Sequence, residues 1–203
     1  IETVDFKGSK PQIIVSRTAP KFLEKLLELE IPEIQDGTII LKKVVRIPGE
    51  KAKIAVDAYD DRIDPVGACV GVKGSRIHGV VRELKNENID VIQWSRNSEI
   101  LVKRALGNVT INKVEINEDE NYALVYTPVE EISKVIGKQG QNIRLASWLS
   151  GFEIDVYREK QADDDVELTE FDDEIEAWII AEFKKVGLET AKSVLDKDTE
   201  ALV

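Results

Sequence analysis

One run of elements occurs twice in this chain, in the same order, and each copy is centred on a Gly-x-x-Gly turn. The turns are Gly71-Val72-Lys73-Gly74 and Gly137-Lys138-Gln139-Gly140, 66 positions apart. A repeat on this scale restricts the chain to folds in which one supersecondary unit is used twice. In the first copy Phe22, Leu23, Leu26 and Leu27 take helical spacing behind a cap at Thr18, and Ile31-Pro32 closes the helix. Apolar and β-branched residues over 38–47, a Pro48-Gly49 turn, and Ala52, Ile54, Val56 and Ala58 alternating with polar neighbours predict a strand pair. Asp64-Pro65-Val66 then reads as a helix start, with Asp64 as cap and Pro65 at the first helical position. That helix ends at Gly71. A second opens after Gly74 through Ile77, Val80, Val81 and Leu84, and 89–92 forms the last strand.

The second copy repeats the series. Asn97 caps a helix through Ile100, Leu101 and Leu106 that stops at Gly107-Asn108. Strands over 109–116 and 122–126 flank a polar turn, and Thr127-Pro128-Val129-Glu130 reads as a capping box opening a helix to Ile136. After the turn come a helix through Ile143, Leu145 and Leu149 and a strand over 154–156. Both copies share Pro-Val, the Gly-x-x-Gly turn, an Ile three residues beyond it (Ile77, Ile143) and a closing Ile-Asp-Val. The expected fold class is α+β: two units, each a three-stranded sheet backed by helices on one face. Trp94-Ser95-Arg96 runs straight into the second unit, so the two turns should hold a fixed relative orientation.

The turns carry the chemistry. Glycine lets the main chain approach a nucleic-acid backbone closely, and the helix that follows offers N–H groups and the positive end of its dipole to phosphate. Lys73 and Lys138 add charge. The net charge of −11 conceals this, because residues 158–203 hold 6 basic and 15 acidic side chains, whereas 1–157 hold 22 and 24. The basic clusters lie beside the turns and the acid lies in the tail. The candidate RNA-binding residues are Gly71, Val72, Lys73, Gly74, Ser75 and Arg76 in the first copy, and Gly137, Lys138, Gln139, Gly140, Gln141, Asn142 and Arg144 in the second. Ser75 reads equally as a helix cap, Ile77 and Ile143 read as core rather than groove, and His78 reads as a solvated helix residue.

Several classes are disfavoured. Neither turn continues as Gly-x-x-x-x-Gly-Lys-Ser/Thr, and a single His leaves no Ser/His/Asp set, so no catalytic residue and no cofactor are expected. One Cys and one His cannot make a structural zinc site, and no metal is expected. No apolar run approaches the ~20 residues that span a bilayer, which points to a cytoplasmic protein. A ribosomal protein would be basic, and this chain is acidic. An accessory module of an RNA-processing enzyme remains the alternative reading. The chain begins at Ile1 and has no Met, which reads as a piece of a longer protein.

The element order, with Gly-x-x-Gly between the second and third helices, resembles the type II KH domain. Residues 64–76 and 136–146 are similar to the first and second KH modules of the NusA family, the bacterial transcription termination/antitermination proteins. Residues 11–18 are similar to the last strand of that family's OB domain. The resemblance implies domains at 1–16 (end of an OB fold), 17–96 (first KH), 97–160 (second KH) and 161–203 (acidic linker and helices). It implies a monomer that binds single-stranded nascent RNA and regulates pausing, termination and antitermination, with RNA polymerase contacted through parts of the full-length protein mostly absent here. In the tail, helices over 174–185 and 189–195 joined at Val186-Gly187-Leu188 read as an acidic amphipathic pair, with a helix-hairpin-helix element as the second reading.

Overall fold

The computed structural model describes residues 1–60, 62–158, 167–171 and 175–195. Of the acidic linker expected over 162–170, residues 162–166 lie outside these residues, as does Glu174 at the start of the expected tail helix.

The chain opens with a hairpin of β1 (Thr3–Lys7) and β2 (Lys10–Ile14), antiparallel and exposed along its whole length. The first repeat follows as α1 (Pro20–Glu30), a single turn α2 (Pro32–Gln35), β3 (Ile39–Ile47), β4 (Lys51–Ala58), α3 (Pro65–Val70), α4 (Ser75–Glu83) and β5 (Asn88–Gln93). The second comprises α5 (Ser98–Leu106), β6 (Lys113–Asn117), β7 (Tyr122–Thr127), α6 (Val129–Ile136), α7 (Gln141–Ser150) and β8 (Glu153–Arg158). The two sheets share one topology. β3 pairs antiparallel and β5 parallel to a central β4, and β6 and β8 flank β7 in the same way.

Period-2 alternation explains how the first unit closes. Ala52, Ile54 and Val56 of β4 point inward, where they meet Leu23 and Leu27 of α1, Cys69 of α3 and Ile77 and Val80 of α4. One buried ion pair fastens the edge of this core. Arg46 donates to both carboxylate oxygens of Glu87 at 2.9 and 2.6 Å and to the main-chain oxygens of Arg17 and Ala19, while Glu87 also accepts from the Gly49 amide. These bonds tie α1, the β3–β4 turn and the α4–β5 loop together.

The opposite face of the first sheet is not left to water. Val45, Ala55, Ile92 and Trp94 join Val102, Ala105 and Leu106 of α5 and Ala146 and Leu149 of α7 in the second core. β4 is therefore buried on both faces, down to Lys53. Shared apolar burial of this kind fixes two units against each other.

Two helix starts differ from the sequence reading. Thr18 does not cap α1: Ala19 stands at the N-cap, Pro20 is the first helical residue, and the Ser16 hydroxyl accepts from the amides of Thr18 and Ala19. Thr127 does not form a capping box. It ends β7 fully buried and donates its hydroxyl to the Thr110 carbonyl at 2.6 Å, leaving Pro128 at the N-cap of α6. Strand β6 also begins at Lys113, later than expected. Asp64 and Asn97 do cap α3 and α5, accepting from Val66 and Ile100 at 3.1 and 3.0 Å.

Residues 160–203 form a separate compact unit. It holds a short 3-10 turn at Leu168–Phe171, α8 (Ala177–Lys185) and α9 (Ala191–Leu195), with Leu168, Ile180 and Leu188 buried. Gly187, at φ +80°, turns the chain between the two helices.

Candidate nucleic-acid interface

The two turns adopt one backbone conformation. The first glycines, Gly71 and Gly137, sit at φ/ψ of 74/173° and 72/174°. The third positions, Lys73 and Gln139, are left-handed at 53/28° and 52/28°, and the closing glycines, Gly74 and Gly140, at 79/13° and 71/14°. The first glycines occupy a region closed to residues with a Cβ, so the spacing of the motif is a steric requirement. Each closing glycine is the N-cap of the next helix and supplies no side-chain acceptor; the Ser75 and Gln141 amides donate to the carbonyls of Val72 and Lys138, and no side chain caps the amides that follow them at the starts of α4 and α7.

The residue five places after each first glycine holds the turn. In the first copy this is Arg76, whose Nη1 donates to the Ala68 carbonyl at 2.8 Å and to both Glu33 oxygens at 2.9 Å. In the second it is Asn142, whose amide donates to Val135 at 3.0 Å, Lys134 at 3.4 Å and Leu106 at 2.9 Å. Both side chains satisfy carbonyls left open where the preceding helix ends. Glu33 is held below the ordinary carboxylate range by its own backbone amide and then by Arg76. Arg76 and Asn142 were expected to contact RNA. In the structure Asn142 is buried and the Arg76 guanidinium carries a carboxylate and a carbonyl, so both side chains brace the turn.

The other expected residues are placed as follows. Val72, Lys73, Ser75, Lys138, Gln139 and Arg144 are exposed, and Gly140 opens to empty space. Among the described residues, Lys73 and Lys138 have no ion pair. The Ser75 hydroxyl lies against Gly71, Arg144 donates to the Gln139 carbonyl at 2.9 Å, and Gln141 reaches across to Glu50 of the first unit at 3.3 Å. Ile77 is core, whereas Ile143 is only partly buried. The His78 ring packs on Gly74.

Sequence reasoning missed a basic group on the outer face of the first sheet. Lys51 and Lys53 both reach Asp90 at 2.8 Å, and Lys53 is fully buried. Burial lowers the Lys53 pKa against the opposing pull of Asp90. Burial alone would raise Asp90, but Lys53 and Lys51 hold it below its ordinary value. The alternation Lys51-Ala52-Lys53 was the available signal, yet it reads as an ordinary solvated strand face until a second unit covers it. Among the described residues no group of His, Cys, Asp and Glu could hold a metal, and no helix is long and apolar enough to cross a membrane.

A three-stranded mixed sheet, three helices and a Gly-x-x-Gly turn between the last two, occurring twice, define a tandem type II KH protein. The family model of the NusA-like first KH domain matches residues 17–94 and that of the NusA-like second KH domain matches 98–164. The chain belongs to the NusA family. It is 48% identical over 162 residues to the transcription termination/antitermination protein NusA of Halalkalibacterium halodurans, covering 80% of this chain and 42% of that one. The Bacillus subtilis relative of the same name is 45% identical over 80% of this chain and 44% of its own, and the Thermus thermophilus one 38% over 76% and 40%. The chain thus spans about two fifths of the length of these relatives. The crystal structure of APE1850 shares the fold, with a TM-score of 0.51 at 19% identity over 69% of this chain and 97% of that one.

Proposed function

We propose that this chain is a single-stranded RNA-binding part of a cytoplasmic transcription factor that acts on pausing, termination and antitermination. The observation that carries the reading is the pair of dihedrally matched turns, each opening a helix without a side-chain cap and each bearing a lysine with no ion pair among the described residues. Phosphates would rest on the turn amides and the helix starts, near Lys73 and Lys138, while splayed bases are read beside them. Val72, Ser75, Gln139, Gln141 and Arg144 are the further contacts, and Arg76 and Asn142 keep the turns in shape. The hairpin over 1–16 is read as the end of an OB fold, and RNA polymerase as a partner of the longer protein. The relatives carry the name of transcription factors, which favours this over a module of an RNA-processing enzyme.

Fluorescence anisotropy with a labelled strand of about ten nucleotides and a duplex of equal length tests the reading, since each clamp takes about four nucleotides. The strand should bind and the duplex should compete poorly, because paired bases cannot splay into a groove. Equal affinity for the duplex would overturn it.

A further inference from the structure

The outer faces of the two sheets match position by position but differ in what covers them. Their closing strands align through Ile89-Asp90-Val91 and Ile154-Asp155-Val156. In the first sheet Lys43, Ala55 and Ile92 form one cross-strand row and Val45, Lys53 and Asp90 the next, and helices α5 and α7 pack over them, burying Ala55 and Ile92. The counterparts in the second sheet are Lys113, Tyr126 and Tyr157, then Glu115, Leu124 and Asp155. These stand open to solvent: Tyr157 is 47% exposed, Lys113, Glu115 and Asp155 are exposed, and Leu124 and Tyr126 are half-buried. Strands about 4.8 Å apart and rows about 6.7 Å apart make a strip roughly one helix wide and two turns long.

The strip is aromatic and acidic. The Tyr126 and Tyr157 rings lie 6.0 Å apart, and the Lys113 ammonium sits over the Tyr126 ring at 5.8 Å, the geometry in which a cation is drawn to an aromatic face. Glu115 pairs with Lys113 at 2.7 Å. Among the described residues the Asp155 carboxylate accepts only from the Tyr122 hydroxyl, and the Glu153 side chain, opposite Tyr122, has no partner. Three carboxylates against one lysine repel phosphate, which disfavours RNA on this face. They disfavour equally the segment 158–203 of this chain, with its 6 basic and 15 acidic side chains. We propose that the outer face of the second sheet docks a basic amphipathic helix of a partner protein, with its arginines or lysines against the tyrosine rings and carboxylates and its apolar side over Leu124. A helix is the occupant because the same face of the first sheet takes helices. No clamp residue takes part, so the site stands apart from the RNA reading.

The test titrates the whole isotope-labelled chain, followed by amide NMR shifts, with an amphipathic helical peptide of about 18 residues made of leucine, alanine and arginine, and with its glutamate-for-arginine counterpart. The basic peptide alone should bind, with the shifted amides gathered on β6, β7 and β8. A Glu115→Gln/Glu153→Gln variant and a Tyr157→Ser variant should each weaken that binding about fivefold. Both should melt like the parent, because all three side chains are exposed, and should bind a 12-nucleotide RNA strand as the parent does. Failure of the basic peptide to bind, equal binding of the acidic one, shifts centred elsewhere, or binding that either variant leaves unchanged would overturn the site. Variants that lost RNA and kept the peptide would overturn it in favour of a nucleic-acid face. Shifts of the same amides on concentrating the parent alone would overturn it in favour of a second copy of this chain.

Discussion

The two turns share a backbone to within about ten degrees, yet their surroundings differ at almost every position. The first presents Val72, 82% exposed, and then Lys73; the second presents Lys138 and then Gln139. The first is braced by a partly exposed Arg76–Glu33 ion pair, the second by a buried Asn142 amide. One braced helix end is polar and wet, the other dry, and both give the same φ and ψ. The common feature is therefore steric. Glycine at two positions and a side chain donating back to the preceding helix make the turn, and the lysine can stand at either middle position.

Alanine at the glycines separates the two braces. At Gly137 an added Cβ would lie 2.6 Å from the Asn142 Cβ and 3.1 Å from its amide nitrogen, so neither can swing aside. Gly137→Ala should cost about 4 kcal/mol, combining a forbidden backbone region with overpacking. At Gly71 the obstacles are the Arg76 Cγ at 2.9 Å and the Ser75 Oγ at 3.0 Å, parts of side chains that can shift. Gly71→Ala should cost about 2 kcal/mol. Gly140→Ala, left-handed but facing open space, should cost about 1 kcal/mol. Urea unfolding gives the order, and equal losses at Gly71 and Gly137 would show that the braces do not differ.

A smaller contrast lies two residues before each first glycine, where Cys69 and Val135 are both fully buried. Burial pushes the Cys69 thiol up from 9.0 to about 12. The folded chain thus keeps a proton that the unfolded chain releases, so this contribution is complete below pH 9 and is lost as pH rises toward 12. Between pH 9 and 10.5 the parent should lose about 2 kcal/mol through this group. Cys69→Val, which copies the second unit, should flatten that limb in melts taken across the range. An unchanged alkaline limb would assign the loss elsewhere.

Much of the architecture is legible in the sequence because it is written in local terms. Alternation gives the strands, Asp64 and Asn97 give caps, and glycine spacing gives the turns. The positions whose bonding a local pattern leaves out are those whose partners come from distant elements. Thr127 points to Thr110, Asn142 to Leu106, and Arg76 to Glu33, none of which a local pattern records. Lys53 is the clearest case: its place in a strand is readable, but its burial depends on helices that begin after residue 97.

The central claim is that both turns serve one RNA strand. It is tested most directly by the salt dependence of 12-nucleotide binding for the parent and for two variants, Val72→Asp/Lys73→Asp and Lys138→Asp/Gln139→Asp. With about four to six phosphates neutralised, the parent's log affinity should fall against log salt with a slope of about −3 to −4. Each variant should melt like the parent, because the substituted side chains are exposed, and should bring the slope to about half. A folded variant of either turn that retained the full slope would contradict the claim.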